Sequence, residues 1–155
     1  MSHGNKKPPP PTPHSIILKV DTTNIPAPTE PHDANNVDPW CSFEGQSAGV
    51  TNELFEIEAA IDDTITWSGV STTNTADTVK ITEIDYEKGT NLFGTQDLYP
   101  ATGASTITGT VVNGANADVE TYIIKFEVYN NNVLKSSPTS SVYEIDPKIK
   151  VKPKT

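Results

Sequence analysis

"VETYIIKFEVYNNN", residues 119–132, sets Tyr122, Ile124, Phe126 and Val128 on one parity and Thr121, Lys125 and Glu127 on the other, with Ile123 and Tyr129. Successive side chains of an extended strand leave on opposite faces, so a period of two marks a strand with one apolar face. The same period recurs on both sides of this segment. "ELFEIEAAI" alternates Phe55, Ile57 and Ala59 with Glu56 and Glu58, and "DTITWSG" alternates Ile65 and Trp67 with Thr64 and Thr66. "STITGTVV" sets Ile107, Gly109 and Val111 against threonines. In "DTVKITEIDY" Val79, Ile81 and Glu83 share a parity, and a bulge would let Ile84 and Tyr86 turn inward further on. "SSVYEIDPKIKV" reads as a last strand interrupted at Asp146-Pro147, because proline cannot donate to a ladder. "SIILKVDT", from Ser15, reads as a first short strand.

Seven to eight short strands, separated by Gly-, Asn-, Ser- and Thr-rich connections, predict an all-β fold, an antiparallel β-sandwich. No stretch keeps an apolar period of 3.6, so at most a helical turn or two is expected. A chain of 155 residues is of single-domain length. Residues 1–14 hold five prolines, Pro8, Pro9, Pro10 and Pro11 in an unbroken run, which favours an extended polyproline arm ahead of a sandwich over residues 15–155. That arm is either a flexible tail or a contact reaching a neighbouring subunit. Residues 24–50, rich in Pro, Asn and Asp without periodicity, read as a long surface loop.

Composition excludes more functions than it suggests. All eleven basic residues are lysines, and with 20 acids the net charge is −9, which opposes nucleic acid and anionic membranes. Missing arginine also removes the planar fork favoured by phosphate sites. Cys41 is the only cysteine, so no intrachain disulfide or cysteine zinc cage forms. No apolar run has transmembrane length and the N-terminus lacks a signal-peptide core, so a cytoplasmic protein without membrane insertion is expected.

Catalysis finds little support. His3, His14 and His32 all lie in the front third, and no phosphate loop, nucleophile elbow or zinc-protease helix occurs. Glu56 and Glu58 share a strand face and could work as an acid–base pair, or stand as a solvated face. Asp62 with Asp63, or Asp118 with Glu120, could hold calcium, but neither pair has EF-hand spacing. No cofactor or metal is expected. The Ser-, Thr- and Asn-rich loops suit a glycan if an aromatic ring covers the sugar's apolar face. Trp40 and Tyr99 are the candidate platforms, the alternative for each being a ring packed against the end of the sandwich.

Three stretches carry a family resemblance: "IDDTITWSGVST", "KFEVYNNN" and the terminal "YEIDPKIKV". Residues 50–152 resemble the PixA/AidA-type inclusion-body proteins of bacteria. There a Gly-Asp-x-Ile-x-Trp strand precedes a Ser/Thr-rich loop, and the chain ends in an Asp-Pro strand. The matching positions are Asp63, Ile65 and Trp67, then Asp146, Pro147, Ile149 and Val151, with Asp62 in place of the family's glycine. The resemblance implies a compact, non-catalytic sandwich, abundant as cytoplasmic inclusions, in which Trp67 belongs to the core. It carries over no ligand site. The expected function is thus structural, a self-assembling homo-oligomer using its arm and edge strands. The alternative is a lectin-like module, assisted by calcium if any metal takes part.

Overall fold

The computed structural model describes residues 9–29 and 37–154. Eleven strands follow in order: β1 (Pro13–Val20), β2 (Cys41–Phe43), β3 (Glu56–Ala59), β4 (Thr64–Ser71), β5 (Thr78–Gly89), β6 (Asp97–Leu98), β7 (Ile107–Thr110), β8 (Val119–Asn130), β9 (Val133–Leu134), β10 (Tyr143–Ile145) and β11 (Lys148–Val151). Single 3-10 turns at Asp38–Trp40 and Asn52–Leu54 are the helical content of the described residues. The smaller sheet runs β2-β1-β4-β7. The larger runs β3-β11-β8-β5-β6, with β9 and β10 also paired to β8.

Both sheets are mixed. The expected antiparallel pairing holds for most neighbours, but β1 pairs β4 in parallel over its whole length, and β11 pairs β3 in parallel. Neither pair is adjacent in sequence, so no hairpin forces them to run antiparallel. The strand count exceeds seven to eight because β2, β6 and β9 are only two or three residues long and carry no readable period. Two boundaries also move. Pro13 and His14, assigned to the arm, belong to β1, and the 24–50 loop contains β2.

The long central strand β8 behaves as its alternation demands: Tyr122, Ile124, Phe126 and Val128 are fully buried. It leaves the sheet through Asn131 and Asn132, whose φ values of 47° and 69° make the two-residue turn that a tight hairpin requires. The register of β5 slips between Ile81 and Glu83, which turns Ile84 into the core and Glu83 out of it. Asp146-Pro147 separates β10 from β11, and both pair with β8 across the interruption. The sheets approach closely where side chains are absent: a Cβ on Gly69 of β4 would run into Val79 of β5.

Candidate functional site

Trp67 lies at the centre of the molecule with no exposed surface. Its indole Nε1–H donates to the Tyr122 hydroxyl at 3.0 Å, joining the two sheets. Tyr122 and Phe93 meet the indole edge-on, with ring centroids 5.6 and 5.4 Å away. A tryptophan so enclosed anchors the fold and offers no face to a ligand.

The acidic turn before it has a different task. Asp63 is buried, and its carboxylate accepts the Thr12 N–H at 2.9 Å, the Ala60 N–H at 2.9 Å and the His14 Nε2–H at 2.8 Å. Burial alone would raise its pKa, but the bonds from His14, Thr12 and Ala60 outweigh that and hold it below the usual carboxylate value. Asp63 therefore ties the base of the arm to the β3–β4 turn. Asp62, at φ 76°, points away and pairs with Lys154 at 2.6 Å. The two aspartates serve opposite termini, so they form no calcium pair. Pro9 and Pro10 line a small cleft with Lys152, Pro153 and Lys154. Pro8, His3 and His32 lie outside the described residues.

One group of acids escaped the sequence reading. Glu83 and Asp85 of β5 and Asp97 of β6 bring carboxylate oxygens within 4.8 Å of one another on the outer side of the larger sheet. Lys125 of β8 reaches Glu83 at 2.9 Å, Asp85 at 3.1 Å and Glu144 at 4.0 Å. Burial, together with Glu83 and Asp97, pushes the Asp85 carboxyl up to about 7. The same neighbourhood raises the Lys125 ammonium, with Glu83 as the leading cause. The lysine thus stands where a bound cation would stand and offsets part of the cluster's negative charge.

The predicted platforms are not brought together. Trp40 closes a 3-10 turn leading into β2 and packs, half-buried, against the core. Tyr99 follows β6 and is 63% exposed, with the Glu83 carboxylate raising its hydroxyl above the usual tyrosine value. The turn before β3 packs beside β2, and β6 packs beside β7, so the two rings lie at opposite lateral edges. Glu56 and Glu58 are exposed and stand opposite Lys148 and Lys150 in the β3–β11 register, as a solvated face would. Asp118 is spent on the Ala115 N–H, while Glu120 is buried and accepts the Leu92 N–H at 2.8 Å. Burial, with Asp38 adding to it, pushes the Cys41 thiol up to about 12, so it carries almost no thiolate at neutral pH.

Fold and interior together define the class: an all-β sandwich of two mixed sheets closed around a buried tryptophan. Among solved structures the chain is similar to the inclusion body protein PixA from Burkholderia cenocepacia J2315. The TM-score is 0.63 and the identity 14%, over 97% of this chain and 99% of that one. At that identity the likeness is one of fold. No protein-family model matches the chain, and no curated protein matches it in sequence.

Proposed function

We propose that the protein is a non-catalytic structural protein that accumulates by association of its own copies. The observation carrying this reading is how the reactive side chains are used. His14 is held on Asp63, Lys125 sits among Glu83, Asp85 and Glu144, and the Cys41 thiol is kept protonated. The fold it shares with an inclusion body protein supports the same reading. A charge of −9 disfavours nucleic acid and anionic membranes as partners, and no helix among the described residues is long and apolar enough to cross a membrane. Accumulation in the cytoplasm and a homo-oligomeric state belong to the same proposal.

The arm is proposed as a contact between copies, anchored at Thr12 and His14 and extending from there. Deleting residues 1–8 leaves that anchor whole, whereas deleting 1–14 removes it and shortens β1. Light scattering on the 1–8 deletion should show a folded protein forming smaller particles than the intact chain. Unchanged particle size rejects the arm as a contact.

A lectin-like reading has one observation in its favour. A hollow of about 240 Å³ beside the Trp40 turn is lined by Asp38, Gln46, Thr51 and Asn52, groups that suit sugar hydroxyls. Three of them are already engaged: Asn52 donates to Asp38 and to the Cys41 carbonyl, and Gln46 accepts the Phe43 N–H and donates to the Val50 carbonyl. Binding on a glycan array, with and without chelator and lost in Trp40→Ala, would establish this reading. No binding in either condition removes it, and Tyr99 with it.

A further inference from the structure

The two outer faces of the sandwich differ in kind. On the larger sheet, neighbouring strands oppose charges in register: Lys148 with Glu56, Lys150 with Glu58, Glu83 with Lys125 and Lys80 with Glu127. On the smaller sheet hydroxyls fill most of the outward positions, Pro13, Ile17 and the exposed Val70 being the apolar ones among them. Pairing sets Ser15 beside Thr66 and Thr66 beside Thr108, with Thr64 beside Thr110 in the next row and Ser68 further along β4. Thr66 and Thr108 already bond each other across the strands, Oγ1 to Oγ1 at 2.9 Å. Among the described residues of these four strands, Lys19 is the one charged side chain on that face, and it reaches Glu44 at its margin.

We propose that this hydroxyl face is a contact surface for the same face of a second copy; the inference rests on the self-association proposed above and names the surface. Two molecules of charge −9 repel one another over most of their surfaces. The hydroxyl face brings no like charges together. Each threonine adds a methyl group to bury and a hydroxyl that both donates and accepts, so two such faces satisfy each other without desolvating an ion. The contact is isologous, one face meeting itself about a two-fold axis.

Size sets its strength. Strands of three to eight residues, at roughly 3.3 Å per residue and about 4.8 Å between strands, cover on the order of 400 Å². A stable dimer buries about 800 Å² per partner, so this contact forms and breaks with concentration. Edge pairing is a poorer route at β2, because Gln46 accepts the Phe43 N–H and Asn52 donates to the Cys41 carbonyl there.

The test is a concentration series in sedimentation equilibrium on the intact chain and two double variants, Thr66→Glu/Thr108→Glu and Thr66→Lys/Thr108→Lys. The variants move net charge in opposite directions while each sets ions on the face. Both should shift the monomer–dimer midpoint upward by about tenfold or more. A glutamate pair that weakens association while the lysine pair strengthens it would show an effect of net charge and overturn the proposal. Association like that of the intact chain in both variants would also overturn it, leaving self-association standing. An intact chain that stays monomeric throughout would sink both. Thermal melts confirm folding, and Thr108→Glu alone, at an exposed position, serves if a double variant fails to fold.

Discussion

Glu120 stands on the inward parity of β8 with Tyr122 and Ile124, only 1% exposed, and its carboxyl accepts the Leu92 N–H. Burial pushes its carboxyl up to about 7, against 4.5 for an ordinary glutamate. The folded state therefore holds a proton that the unfolded state releases between those two values. That contribution to stability is fully present below pH 4.5 and is lost as pH rises through 7. Glu120→Gln keeps an acceptor for Leu92 and removes the charge. It should stabilise the protein by roughly 1–3 kcal/mol at pH 8 and change little at pH 4, measured by urea denaturation. A variant less stable at pH 8 contradicts this account of Glu120. Asp63 behaves in the opposite sense: its lowered pKa gives stability above the ordinary carboxylate range, lost as pH falls through the folded value. Asp63→Ala should cost roughly 2–4 kcal/mol at pH 7 and less at pH 3, from three charge-assisted bonds to the arm and turn.

The chain between β1 and β2 shows what an element needs beyond its own sequence. From Thr22 to Pro28 it crosses the end of the sandwich, held by groups more than a hundred residues away. Lys135 donates to the carbonyls of Thr22 and Ile25 at 2.9 Å each, Asn130 to Thr22, and Tyr143 to Pro26. Lys135→Met should free this strap, which limited proteolysis would read as faster cleavage within residues 21–40; an unchanged rate refutes the strap. Aperiodic composition made residues 24–50 legible as a connection, but not the holding of its first residues up to Pro28, because their partners, Asn130, Lys135 and Tyr143, lie far along the chain. Strands β4, β7 and β8 were legible since their alternation runs long enough to name a face. The acid cluster was hidden, because the bulge after Ile81 turns Glu83 and Asp85 outward together, and only sheet pairing brings Asp97 and Lys125 to them. Buried Glu120 had a signal: the apolar parity of β8, extended two residues back from Tyr122, lands on it.

For the molecule as a whole, charge and packing point the same way. Fold class and the core role of Trp67 were legible from periodicity and resemblance. The difference between the two outer faces was not, since it depends on which strands become neighbours. Near the sequence pI of about 4.6 the net charge falls toward zero and repulsion between copies fades. The raised carboxyls of Asp85, Glu120 and Asp146, at about 7, 7 and 6, keep the folded state favoured as pH falls toward that point. The most direct test of the central claim is the light-scattering mass of the intact chain over a wide concentration range at pH 8 and pH 5. The account predicts a mass above 16.7 kDa that grows with concentration, with a lower threshold at pH 5. A mass fixed at 16.7 kDa under every condition would contradict it.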